Sequence, residues 1–232
     1  RRTLMLLVEM GKSRESSSIF LKVSSLALRT SQKNNRRNNL PVSELFFCDL
    51  AQIASEFMRA FQSHEACVSA LIVWSNDELS YFAQQIIKHF LSKGTSLENI
   101  ASIVENVFEP CLKLTQIGLD LSYFLEGLLH AHLEVLLEES RCRLIEGISR
   151  HDEKWQPYNL TSKTNMRNFL KDFNEKLSID LSAFVTGEIY LSLTQSTVQF
   201  CQHYLAVTKH CAIIGKNYVL KPNCEKILID FF

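Results

Sequence analysis

The chain has 232 residues, 46% of them hydrophobic and 22% charged, a composition with ample material for a globular core. Its 25 basic and 25 acidic residues cancel, which argues against a nucleic-acid binder, because such proteins need a basic excess to neutralise phosphates. Seven Gly and four Pro are too few for the turns of a β-rich fold of this length, so long helices are expected. No run of 18 or more apolar residues occurs, and no signal peptide is readable. The seven cysteines are odd in number, scattered and without a CxxC pair, as in proteins of a reducing compartment. Cys67 and Cys111 lie within apolar helical patterns, where a thiol acts as a small hydrophobe. A cytoplasmic location is expected, and there the Asn159-Leu160-Thr161 sequon carries no meaning. The opening Arg1-Arg2, without Met, reads as part of a longer protein. Residues 1–40 hold nine Lys/Arg against two Asp/Glu, so the remaining 192 residues carry 16 basic and 23 acidic groups. A basic segment on an acidic body reads as a solvated helix face, with a docking role as the alternative.

In chain order, Thr3–Met10 and Ser13–Gln32 read as a helical hairpin broken at Gly11. Ser31–Asn39, with Lys33, Arg36, Arg37 and four Asn, reads as an exposed loop. Phe46–Phe61 supplies an apolar helix. From Val68, the residues Leu71, Ile72, Leu79, Phe82, Ile86 and Phe90 recur at helical spacing and define one buried stripe. Leu91-Ser92-Lys93-Gly94 ends that helix, and Ser96 can cap the next. In the next, Ile100, Ile103, Val104, Val107 and Leu114 repeat the pattern. Pro110 removes the bond to the Asn106 carbonyl and should kink it.

Residues 121–150 read as one helix of about 45 Å at 1.5 Å per residue. Its stripe runs from Leu121, Leu125, Leu128 and Leu136 toward Leu137, Leu144 and Ile148, a drift that suits a bridge between two bundles. Periodicity is lost from His151 to Asn165 around Pro157. A shorter helix follows over Met166–Lys176, and a long one over Ser182–Ile214 with Ile189, Leu193, Phe200, Tyr204, Val207 and Cys211 on one face. Ile227–Phe232 is apolar and should dock. No repeat at solenoid spacing is present.

Chemistry-bearing residues do not converge in this pattern. His203 and His210 share a side of their helix while Cys201 lies about 160° away, so Cys201, His203, His210 and Cys211 cannot form a tetrahedral zinc site from one helix. His130 and His132 point to nearly opposite faces, and His132 reads as a satisfied core histidine. His151-Asp152 matches the metal-holding pair of HD-type phosphohydrolases, with Asp172 or Asp180 as downstream partner. A solvated helix terminus is the simpler reading. Glu138 and Glu139 project about 100° apart, unlike a general acid and base pair. No phosphate loop, dinucleotide fingerprint, GxSxG elbow or HExxH helix occurs. Catalytic, cofactor and metal residues are therefore expected to be none. Lys33, Arg36 and Arg37 at about 1 kcal/mol each would support a weak contact with an acidic membrane; a solvated loop is favoured over it.

Leu6-Leu7-Val8-Glu9-Met10-Gly11-Lys12 followed by Glu15 and Phe20-Leu21 resembles the entry hairpin of the C-terminal region of exocyst complex subunit eight, a vesicle-tethering family. The resemblance continues through Phe57-Met58-Arg59-Ala60-Phe61 and Trp74 with Glu78-Leu79. Its most specific parts are Gly118-Leu119-Asp120-Leu121-Ser122-Tyr123-Phe124-Leu125-Glu126 with Leu128-Leu129, and Trp155-Gln156-Pro157-Tyr158-Asn159-Leu160. Gly118 can end a helix in the left-handed conformation, Asp120 can cap the long helix, and Trp155 with Pro157 can pin the following loop. The resemblance implies an all-α, elongated rod of two consecutive helical bundles, residues 1–120 and 121–232. It implies a non-catalytic scaffold, with other exocyst subunits as partners, acting at plasma-membrane sites of exocytosis before SNARE-mediated fusion. The family's Ral-binding pleckstrin-homology domain and its N-terminal coiled coil are not in these residues. The readings from other classes are an HD-type metal-dependent phosphohydrolase and a small-GTPase effector module.

Overall fold

A chain with so few helix breakers folds into helices wherever an apolar stripe finds a partner, and the computed structural model is nearly all-α. It describes residues 10–37, 41–61, 65–148, 157–177, 180–217 and 219–231. Among these, helices α1 (Ser13–Arg37), α2 (Val42–Phe61), α3 (Glu65–Phe90), α4 (Leu97–Lys113) and α5 (Ser122–Ile148) come first. After strand β1 (Tyr158–Asn159) come α6 (Lys163–Leu177), β2 (Val185–Thr186), β3 (Tyr190–Leu191), α7 (Gln195–Ile214) and α8 (Lys221–Phe231). The chain divides into two compact units, Arg1–Thr95 with Ser102–Leu133, and Ser96–Ala101 with Glu134–Phe232. Helix α5 thus contributes its first turns to one unit and the remainder to the other.

In the first unit, α1, α2 and α3 pack on one another. The core is aromatic: Phe46 and Phe82 stack with ring centroids 4.2 Å apart, Phe47 meets Phe82 edge-on, and Phe20 packs on Phe57 and Phe61. Such ring pairs add about 1 kcal/mol each beyond their buried area. Along α3, Leu71, Leu79, Phe82 and Ile86 are buried as their spacing predicts, but Ile72 and Phe90 face outward, and Trp74 and Glu78 are buried in their place. Helix α3 ends before Gly94, whose positive φ of 88° reverses the chain, and Ser96 Oγ accepts from Asn99 N at 3.3 Å to cap α4.

Two expectations fail. Ser31–Arg37 is helix, not loop. No Gly or Pro stops it before Pro41, and its polar residues serve packing: Gln32 is buried, and Ser31 Oγ donates to Asp49 Oδ2 on α2 at 2.9 Å. Nor does a helix begin at Ser182. A 3₁₀ turn at Ser182–Phe184 leads into β2, and β2 pairs antiparallel with β3, Val185 opposite Leu191 and Thr186 opposite Tyr190. Gly187 turns this hairpin at φ 73°, so the helical spacing of Ile189 and Leu193 is coincidental. Strand β1 completes the order β1-β3-β2, and α7 starts only where Thr194 Oγ1 accepts from Thr197 N at 3.2 Å.

Here the second unit has a local core, in which Leu160, Met166, Phe169, Phe173, Leu181, Leu191 and Val198 close under the hairpin. Pro157 is exposed while Leu160 is buried in this core, and Trp155 lies outside the described residues. In α8, Ile227 is buried while Ile229 is exposed. The segment Thr3–Glu9, expected to form the first arm of a hairpin, also lies outside the described residues, and Gly11 adopts φ 75°.

The corner between α4 and α5 follows the expected chemistry. Pro110 stays inside α4, which tightens into a 3₁₀ turn at Leu114–Ile117. Gly118 then turns left-handed at φ 79°, with its N–H on Thr115 O at 3.0 Å and the Leu119 N–H on Leu114 O at 3.2 Å, while Leu114 and Leu119 are both buried. These two bonds make a Schellman closure. Asp120 Oδ1 next accepts from Ser122 N at 3.1 Å and from the Ser122 hydroxyl, and these bonds hold its carboxyl below the usual range. An added Cβ at Gly118 meets nothing within 4 Å, so Gly118→Ala should cost only the backbone penalty, about 1 kcal/mol. Urea denaturation would read that cost as a lower midpoint, and an unchanged midpoint would contradict the left-handed turn.

Candidate functional site

Helix α1 is tied to the bundle through polar groups. Its buried face is rich in small hydroxyls, with Ser13, Ser16, Ser17 and Ser24 beside Leu21 and Leu28. From α3, Trp74 Nε1 donates to Ser25 Oγ at 2.8 Å. One turn further, Glu78 is 1% exposed and receives a two-bond fork from Arg29, Nε to Oε2 at 3.0 Å and Nη2 to Oε1 at 2.9 Å. The fork raises the Arg29 pKa, and its guanidinium also lies 4.6 Å over the Tyr81 ring. Residues Trp74, Glu78 and Leu79 thus act together: the first two hold α1 by hydrogen bonds and Leu79 fills the core.

The candidate ligands are placed apart from one another. Cys201 is half-buried against the small core of the second unit, His203 is exposed, His210 is partly buried, and Cys211 is buried. Cys211 instead meets Cys224 of α8, and donating its thiol proton there, together with burial, pushes its pKa up. His132 Nε2 sits 2.7 Å from the Leu91 carbonyl, which can only accept, so Nε2 carries the proton and satisfies that oxygen. Among the described residues, no three His, Cys, Asp or Glu side chains gather to hold a metal ion. His151 and Asp152 lie outside the described residues. Asp180 caps the turn at Ser182 through bonds to its N–H at 2.9 Å and to its hydroxyl. Cys111 is buried, which pushes its thiol up to about 12. Of these groups, His132 is bonded to the end of α3, Cys211 to α8 and Asp180 to the turn at Ser182.

In the second unit a charge network joins α5 to α8. Glu138 accepts a fork from Arg141, Arg141 Nη1 reaches Asp230 Oδ2 at 2.6 Å, and Lys226 Nζ lies 3.4 Å from Glu138. Glu138 is therefore committed to Arg141, and its pKa falls to about 2. Exposed apolar side chains mark the remaining surfaces. Tyr123 and Phe124 project at the start of α5, with Tyr123 85% exposed, and Ile19, Val23 and Leu26 project along α1. A groove lined by Ile86, Phe90, Val107 and Pro110 carries Glu44, Glu109 and Lys113 at its edge. No described helix is long and apolar enough to cross a membrane.

The family model described as exocyst component 84 C-terminal matches residues 1–122, just over half of the chain. The chain belongs to this family. Among curated proteins it is similar to exocyst complex component 8 of Xenopus laevis, 25% identical over 214 residues that cover 89% of this chain and 31% of the relative. The corresponding proteins of Gallus gallus and Homo sapiens are 23% and 22% identical, over 89% and 86% of this chain and 30% and 29% of theirs. The chain thus spans about three tenths of the length of the curated relatives it matches. No solved structure shows significant similarity to it. The family resemblance read from Phe57–Phe61, Trp74 and Gly118–Glu126 rests on residues that organise helices: the two phenylalanines, Trp74 and Gly118 all sit at packing or turning points. Sequence reading missed the Arg29–Glu78 fork, although Glu78 stood in a quoted motif. An acid on the apolar stripe of a helix, where only a cation from a neighbour makes burial tolerable, was the available signal.

Two outcomes follow from these clusters. Arg29→Met leaves the Glu78 carboxylate buried without its fork and should cost about 2 kcal/mol in urea denaturation, part of which Glu78→Gln in the same chain restores. A single-variant cost within error of zero would remove the fork from the account. For Glu138 the folded pKa of about 2 lies below the ordinary 4.5, so its contribution is complete above pH 4.5 and is lost as pH falls from there toward 2. Amide exchange in α8 should accelerate across that window, and Glu138→Gln should flatten the dependence.

Proposed function

We propose that this chain is a non-catalytic helical scaffold of the exocyst, which helps tether secretory vesicles to the plasma membrane before SNARE-mediated fusion. Its partners in this reading are other exocyst subunits, and it works in the cytoplasm at sites of exocytosis. The observation that carries the reading is the match of residues 1–122 to the exocyst component 84 C-terminal family, extended by relatives aligned over most of the chain. The structure is consistent with it, since the motif residues serve packing and the exposed apolar residues are dispersed over helix surfaces, as suits a protein acting through contacts. Such contacts need on the order of 1,000 Å² of buried surface to persist. Nothing in the comparisons supports the phosphohydrolase or GTPase-effector readings.

Purified chain added to cytosol, recovered and analysed by mass spectrometry, should bring down other exocyst subunits, and the Tyr123→Ala and Phe124→Ala variants should show whether the α5 start is one of the surfaces used. Recovery of no exocyst subunit, or of a GTPase only in its GTP form, would count against the scaffold reading.

A further inference from the structure

Helix α1 presents an outer face that the bundle does not use. At 100° per residue, Ile19, Val23 and Leu26 fall with Lys22, Thr30 and Lys33 in a sector about 100° wide. The three aliphatics are 48%, 60% and 71% exposed, so they protrude from the bundle. Lys22 and Lys33 are exposed and form no ion pair with a described residue, and Glu15, the one acid in this helix, is exposed in the same sector one turn before Ile19. From Ile19 to Lys33 the strip runs about 21 Å along the helix. Beside it lies an open groove between α1 and α3, lined by Arg14, Ser17, Ser18, Lys22, Ser25 and Trp74. Trp74 Nε1 donates to Ser25 Oγ and leaves that hydroxyl's own proton free to donate, so two cations and the serine hydroxyls edge one cleft.

We propose that this face of α1 binds the surface of an anionic phospholipid bilayer. Ile19, Val23 and Leu26 enter the boundary between headgroups and acyl chains, Lys22 and Lys33 meet lipid phosphates, and the groove at Arg14 and Ser25 receives a headgroup phosphate. The side-chain chemistry separates this occupant from a protein helix. Protein interfaces are enriched in aromatic residues and depleted in lysine, whereas this strip has two lysines and no aromatic residue. The proposal goes beyond the scaffold reading and is independent of it: a chain that recovers exocyst subunits but ignores lipid loses this proposal alone.

Flotation of the 232-residue chain with liposomes of phosphatidylcholine, with and without phosphatidylserine, tests it. Binding should require phosphatidylserine and weaken as salt rises from about 0.05 M to about 0.5 M. Lys22→Ala and Lys33→Ala should each weaken it about fivefold, and Leu26→Ser should weaken it several-fold. All three side chains are exposed, so circular dichroism and the melting temperature should not change, which separates lost binding from lost fold. Equal binding to neutral liposomes, no binding at low salt, or variants that bind like the parent would each overturn the proposal. If the same variants spare liposome binding but abolish recovery of exocyst subunits, the face is a protein interface and the lipid reading falls.

Discussion

Burial of the Glu78 carboxylate constrains the arrangement of the first unit. A charge 1% exposed inside a helical bundle is tolerable only if its oxygens are bonded, and both are met by one guanidinium from Arg29. The fork ties the flank of α1 to α3. Arg29 reaches Glu78 from the flank of α1: at 100° per residue it projects between the inner face of Leu21, Leu28, Ser17 and Ser24 and the outer face of Ile19, Val23 and Leu26. Small serines on the inner face also let α1 come close to its neighbours, so that Trp74 reaches Ser25 and Phe20 reaches Phe57 and Phe61. The exposed apolar strip is the far side of a helix whose inner face combines Leu21 and Leu28 with serines, and Phe20 packs beside them.

How much of this was legible depended on whether the signal was local. The helices of the first unit could be read from periodicity, and the α4–α5 corner could be read residue by residue, because a Gly two positions before an Asp states both a left-handed stop and a cap. Long-range pairing could not. Ser31–Arg37 reads as a loop in isolation because Ser, Asn, Arg and Lys are the residues of solvated turns. It is helical because Asp49 and the buried site of Gln32 lie on its inner side. In Ser182–Thr194 the error runs the other way. Ile189 and Leu193 mimic a helical stripe, while Val185-Thr186 before Gly187 was the overlooked hairpin signal, and the third strand, Tyr158–Asn159, which pairs with Tyr190-Leu191, lies far back in the chain. Polar segments are decided by what they pair with, so sequence reading is weakest there.

The family motifs have a common physical character. Phe57 and Phe61 build the aromatic core, Trp74 and Glu78 hold α1, and Gly118 with Asp120 turns the chain into α5. Each sets the direction of a helix. Within the most specific motif, the residues that turn the corner are buried or bonded, whereas Tyr123 and Phe124 in the same stretch project into solvent. A corner needs the first set and gains nothing in stability from the second. An 85% exposed tyrosine contributes little to folding, and singly exposed aromatic residues are ordinary on protein surfaces.

Charge makes the same separation between fold and surface. The chain is neutral overall, yet nine of its 25 basic residues fall in the first 40 positions, and the polar groups that matter for folding are consumed in pairs: Arg29 by Glu78, Arg141 by Glu138 and Asp230. Lys22 and Lys33 on α1, by contrast, form no ion pair with a described residue. Their field is short-ranged at physiological salt, about 8 Å, so it acts only on a surface already close by. Attraction of that range holds only at contact, so the aliphatics beside the lysines must supply the rest of any attachment. Lysines and aliphatics on one face are thus a joint signal, since neither the short-ranged charge nor the small apolar area holds a surface alone.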